Sequence, residues 1–124
     1  MSNKYKNFRD IPVWTSAHEL SLQIYEITKN FPKLEQYGIT SQLQRAVTSI
    51  NANLVEGFYR ETTKELIRFL YQARGSAGEV VNFLILSGGL QYIEASVMEE
   101  KIKQAESIIR QLSGWIKSLK AKIQ

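Results

Sequence analysis

Apolar residues recur along this chain at steps of three and four, the period of a core-facing helix. Val13, Ala17, Leu20, Ile24, Ile27 and Phe31 trace a first stripe. Asp10 is the expected N-cap, with Pro12 tolerated in the first turn. The residue before Pro32 disfavours helical geometry, so this helix should end near Asn30. A linker from Pro32 to Gly38 leads to Thr40 as the next expected cap. Helix two is predicted from about Ser41 to Tyr59, with Leu43, Val47, Ile50 and Leu54 on its apolar face. Gly57 should weaken its last turn.

Thr62-Thr-Lys-Glu65 has the form of a capping box and opens helix three. Its apolar positions are Leu66, Leu70, Ala73, Ala77, Val80 or Val81, and Leu84. Gly75-Ser-Ala-Gly78 interrupts it in composition but not in period, which predicts close helix–helix approach or a local kink. Gly88-Gly89 should end it. Ser96-Val-Met-Glu99 reads as a second capping box. Met98, Ile102, Ala105, Ile109, Leu112, Ile116, Leu119 and Ile123 then alternate four and three, a heptad pattern. Four amphipathic helices with short links predict an all-α, antiparallel up-down-up-down four-helix bundle filling one domain over residues 1–124.

A second, polar periodicity runs beside the apolar one. Arg45, Ser49, Asn53, Glu56 and Arg60 share a stripe on helix two; Glu65, Arg68, Gln72, Ser76 and Glu79 share one on helix three. In an antiparallel hairpin the numbers of facing residues add to a near-constant. Pairing Arg45 with Glu79, Ser49 with Ser76, Asn53 with Gln72, Glu56 with Arg68 and Arg60 with Glu65 satisfies that rule. It also matches opposite charges. The expectation is a polar seam between the two helices, in which removing one partner of a buried pair costs about 3–5 kcal/mol.

Charge adds an asymmetry that hydropathy does not show. The net charge of +4 divides into +3 over residues 1–9, −4 over 10–100 and +5 over 101–124. In the predicted topology the start of helix one, the turn between helices two and three and the end of helix four share one end of the bundle. Lys4, Lys6, Arg9, Arg60, Lys64, Lys117, Lys120 and Lys122 gather there as a basic pole, with Tyr5, Phe8 and Tyr59 nearby. Glu35, Glu94, Glu99 and Glu100, diluted by Lys33, form an acidic pole at the other end. Cations interleaved with aromatics suit phosphates and unstacked bases, so the basic pole is the candidate nucleic-acid-binding set. A second surplus, Trp14, Tyr25, Phe58, Tyr71, Phe83 and Trp115, flanks the main stripes and either thickens the core or serves subunit contacts.

Catalytic chemistry finds little footing. The 124 residues hold no cysteine, which excludes disulfides, thiolate metal sites and thiol nucleophiles. The one histidine, His18, belongs to no Glu-x-x-His motif of the kind that builds di-iron sites in bundles. Ser49 and Ser76 have no histidine to activate them. The reading is therefore no enzyme, no cofactor and no metal. No run approaches the roughly 18 apolar residues of a membrane span. The N-terminus is polar, and a cytoplasmic protein with no membrane contact is expected.

The succession of motifs resembles a known family. Phe8, Val13-Trp14, Phe31-Pro32, Glu35-x-Tyr37-x-Ile39, Gln42-x-x-Arg45-Ala46-x-x-Ser49-Ile50-x-x-Asn53-x-x-Glu56-Gly57, Glu65-x-x-Arg68-Phe69-Leu70 and Gly75-Ser76-x-x-Glu79 are similar to bacterial four-helix-bundle proteins encoded in intervening sequences of 23S ribosomal RNA genes, also called the S23 ribosomal protein family. Val55 stands where many members carry alanine. The resemblance implies a homo-oligomer, in known relatives a pentamer with a central channel. The fold also looks like the accessory variability determinant of diversity-generating retroelements, which joins a reverse transcriptase to its template RNA. An RNA-associated accessory protein is thus the leading expectation. A scaffold for a protein partner such as a reverse transcriptase is the alternative.

Overall fold

The four stripes become four helices in a computed structural model that describes residues 5–123. They are α1 (Pro12–Thr28), α2 (Ile39–Phe58), α3 (Thr63–Gly89) and α4 (Ala95–Lys122). Short 3-10 turns at Phe8–Asp10 and Lys33–Glu35 precede α1 and α2. Cross-helix bonds fix the directions. Gln44 Nε2 donates to Thr28 Oγ1 at 3.0 Å and Asn51 Nδ2 to the Trp14 carbonyl at 3.0 Å, so α1 and α2 run antiparallel. Lys101 Nζ reaches Gln23 Oε1 at 2.7 Å, and Gln111 Nε2 reaches Ser16 Oγ at 3.5 Å, so α4 returns antiparallel to α1. Arg74 Nη1 meets Ser113 Oγ at 3.3 Å across the antiparallel α3–α4 pair. The chain is an up-down-up-down bundle, and α2 with α3 forms its most extensive interface.

The core follows the predicted stripes closely on the first three helices. Leu43, Val47, Ile50 and Leu54 are fully buried, as are Leu66, Leu70, Ala73, Ala77, Val80 and Leu84. On α4 the heptad drifts. The buried set is Lys101, Ile102, Ala105, Ile108, Leu112, Ile116 and Leu119, whereas Ile109 is only partly buried and Ile123 is exposed. A straight helix with 3.6 residues per turn cannot keep a 3.5-residue stripe on one side.

Helix starts depart from expectation in an instructive way. Thr62 Oγ1 accepts from the Glu65 N–H at 3.2 Å, the forward half of the capping box read from the sequence. The other three caps fall elsewhere. Ile11 rather than Asp10 precedes α1, and Asp10 closes the 3-10 turn whose cap is Asn7. Gly38 rather than Thr40 precedes α2. There Glu35 Oε1 reaches forward from the linker to accept the Ile39 N–H at 3.2 Å, doing the work of a cap from four residues away. Glu94 rather than Ser96 precedes α4. α3 ends at Gly89, as the Gly88-Gly89 pair predicts, and the left-handed residue that follows is Gln91, with φ 63°.

The glycines also sort differently. Gly57 is needed for packing: a Cβ there would lie 2.8 Å from Phe69 Cβ and 3.3 Å from the Leu66 carbonyl. Gly75 and Gly78 make no close approach within the chain, and a Cβ on either meets nothing within 4 Å. They lie on the outer face of an unbroken α3, which carries exposed Ile85 and Leu86 two to three turns further on.

The polar seam does not close. Arg45, Glu56, Arg68, Gln72 and Glu79 are exposed, and Ser49, Asn53 and Glu65 are half-buried. Among the described residues the ion pairs are Lys29–Glu26, Arg60–Glu56 and Lys101–Glu100, each between near neighbours in sequence. Arg60 pairs with Glu56 at 2.6 Å rather than with Glu65. Asn53 donates to the Ser49 carbonyl of its own helix at 2.9 Å. Only Ser76 is buried. The register was correct, since Gly57 abuts Leu66 and Phe69, but apolar residues make the contact and the polar stripes flank it in solvent. The buried-pair penalty expected there does not apply.

Candidate nucleic-acid interface

The N-terminal lead is fastened to one end of the bundle by aromatic contacts. The Phe8 ring lies 5.5 Å from Trp14, 6.2 Å from Phe58 and 6.4 Å from Tyr59, and Tyr5 meets Trp115 edge-on at 6.1 Å. These contacts bring the start of α1, the end of α2 and the last third of α4 together, as the basic pole requires. Of the other flanking aromatics, Phe58 is buried, Phe83 is partly buried against the core, and Tyr25 and Tyr71 are exposed. Phe8 is committed to packing, and Tyr59 is an exposed ring at this end, at 68%. His18 stacks on Trp14 at 4.8 Å.

Lys6, Arg9, Lys64, Lys117, Lys120 and Lys122 are exposed at or near this end, and Arg60 is half-buried. Lys4 lies outside the described residues. Their surroundings divide the pole into two unlike sides. Around the α2–α3 turn, Arg60, Lys64 and Arg68 are interspersed with Glu56, Glu61 and Glu65, so the local charge balances. Arg60 and Arg68 also both sit at the Phe69 ring, 4.9 and 4.5 Å from its centroid. The α3–α4 side is different. No aspartate or glutamate occurs between residues 66 and 78 or beyond 106, while Arg74, Lys117, Lys120 and Lys122 fall in those stretches. None of these four is in an ion pair among the described residues.

Arg74 and Tyr71 were not in the sequence-predicted set. Arg74 sits mid-helix, about 15 Å along α3 from Lys64 at 1.5 Å per residue, and only the α4 register brings it to the lysines. Its guanidinium lies 4.8 Å from the Tyr71 centroid, and Lys120 Nζ lies 5.1 Å from the same ring. Lys117 and Lys120 bias the last turns of α4, where cations also complement the helix dipole.

At the opposite end the acidic pole is partly spent on structure. Tyr92 O–H donates to Glu35 Oε2 at 2.7 Å, joining the α1–α2 and α3–α4 linkers. Lys101, 8% exposed, runs its stem into the core and bonds Glu100 Oε1 at 2.8 Å. That bond holds the Glu100 carboxyl below its ordinary value. Hydrogen bonding to Glu35, with burial and the adjacent negative charge, raises the Tyr92 phenol above 10.0. A group whose folded pKa is raised stabilises the fold fully below its unfolded pKa, and that contribution is lost as pH rises through the folded value. Urea unfolding from about pH 9 to 11 should therefore show a loss of stability in the wild type that is smaller in Tyr92→Phe.

The described chain is thus an antiparallel four-helix bundle with one cation-rich, carboxylate-free flank, and no helix in it is long and apolar enough to cross a membrane. The profile of the 23S rRNA-intervening sequence protein family matches residues 9–114, and the chain belongs to that family. Among solved structures it is similar to a protein of unknown function from the S23 ribosomal protein family of Bacteroides thetaiotaomicron VPI-5482. The TM-score is 0.79 at 24% identity, covering 85% of this chain and 95% of that one. At that identity the likeness speaks for the fold. No curated protein matches the chain.

Proposed function

We propose that this protein is a non-catalytic, cytoplasmic, homo-oligomeric accessory protein that associates with structured RNA through the basic pole. The observation that carries the reading is the flank where Arg74, Lys117, Lys120 and Lys122 stand without a carboxylate in the surrounding helix segments. Uncompensated cations favour polyanions, and several weak phosphate contacts repeated over subunits add up. Membership of a family encoded within 23S rRNA genes is in keeping with an RNA partner. Oligomerisation, as the pentamer of related proteins, is supported by α3. Its outer face offers Gly75 and Gly78 with open space and, two to three turns further on, exposed Ile85 and Leu86.

Exposed Ile85, Leu86 and Leu90 near the end of α3 support a second reading, a scaffold for a protein partner such as a reverse transcriptase. Fluorescence anisotropy with a labelled structured RNA at low salt separates the two. Lys117→Glu combined with Lys120→Glu should weaken binding at least about tenfold, because two phosphate attractions become repulsions. Tight RNA binding untouched by that double reversal would contradict the basic-pole reading.

A further inference from the structure

We propose that the groove between α3 and α4 lined by Tyr71, Arg74, Ser113, Lys117 and Lys120 seats a backbone phosphate of bound RNA. The proposal rests on the RNA-associated reading and gives it a specific seat. The groove is about 460 Å³, within the range of small-ligand sites. Its two walls come from different helices but share one chemistry. Ser113, Lys117 and Lys120 occupy one face of α4, four and three residues apart, and Tyr71 and Arg74 are one turn apart on α3.

Two cations crowd one aromatic ring here. Arg74 and Lys120 both approach the Tyr71 centroid, at 4.8 and 5.1 Å, close enough for each to feel the ring quadrupole. The Arg74 guanidinium is tethered by Nη1 donating to Ser113 Oγ at 3.3 Å. Ring and hydroxyl thus hold two like charges in one place, and Lys117 adds a third on the same groove. None of the three is neutralised by an ion pair among the described residues. An anion between them relieves their repulsion. Part of the ordering cost of binding is already met because the side chains are held.

A guanidinium fork beside two ammonium groups matches the several oxygens of a phosphate better than a single carboxylate. The cations also continue past the groove to Lys122 at the end of α4. A track of charge suits a chain of phosphates more than one isolated anion.

The test compares RNA binding by the full-length protein with that of three variants across a salt series, each variant checked for unchanged helicity by circular dichroism. Arg74→Gln should weaken binding three- to tenfold and flatten the salt slope by about one phosphate contact. Tyr71→Leu removes the organiser and no charge, so it should weaken binding while leaving the slope as in wild type. Lys33→Gln, an exposed lysine at the opposite end of the bundle, should match wild type. RNA binding that survives Arg74→Gln and Tyr71→Leu intact would overturn the groove and leave the RNA reading standing. No RNA binding by the wild type would overturn both.

Discussion

Leu70→Ala should lower the unfolding free energy by about 2–5 kcal/mol, the range for emptying a fully enclosed leucine site. Leu70 has no exposed surface, and its helix packs against both α2 and α4, so the void is walled on several sides and cannot readily collapse. For a single domain with a total stability of about 5–15 kcal/mol, that is a large fraction. Urea titration should show a lower midpoint at unchanged m-value. A loss under about 1 kcal/mol would mean that the bundle core is looser than the burial of Leu70 implies.

Gly57→Ala should be the more unusual result, because alanine normally stabilises a helix relative to glycine by about 0.5–1 kcal/mol. Here the added methyl would stand 2.8 Å from Phe69 Cβ and 3.1 Å from Leu66 Cδ1. Phe69 Cβ is bonded to the α3 backbone, so it cannot swing aside, and the start of α3 must shift. Overpacking of this kind costs about 1–3 kcal/mol and should outweigh the gain in propensity. Gly78→Ala is the control, since its methyl meets nothing within 4 Å of the chain. Measured on the isolated subunit, it should gain stability where Gly57→Ala loses it. Two glycines on neighbouring helices would then give opposite signs, and denaturation midpoints read both.

The contrast between those glycines marks where sequence reading succeeds and stops. Period alone located the buried faces of α1, α2 and α3, because a stripe such as Leu43, Val47, Ile50 and Leu54 has one solution once it must leave water. Complementary charges on α2 and α3 gave the antiparallel register correctly and the contact surface wrongly. A constant sum of residue numbers is shared by every pair of stripes along two antiparallel helices. It sets how far one helix is slid along the other but not which faces meet. Glycine is equally ambiguous: Gly57 marks a close approach and Gly75 an open face, and both look alike in the chain.

The candidate site was legible in part for the same reason. Lys117, Lys120 and Lys122 follow from counting charge at a helix end. Arg74 needed the α3–α4 register, which nothing in its own neighbourhood signals. Lys101 was missed because a lysine beside the heptad position Ile102 looks solvent-facing; its amine finds Gln23 and Glu100 while its stem is buried. The caps at Ile11, Gly38 and Glu94 were missed because the preceding loops, and at Gly38 the distant side chain of Glu35, set those helix starts.

The central claim is that cations of the basic pole meet RNA phosphates, and the salt dependence of wild-type binding tests it most directly. If the groove seats one phosphate and the rest of the basic pole meets at least two more, the logarithm of the association constant should fall with the logarithm of salt concentration at a slope of about −2 or steeper. A slope near zero, or no affinity for structured RNA at low salt, would contradict the account.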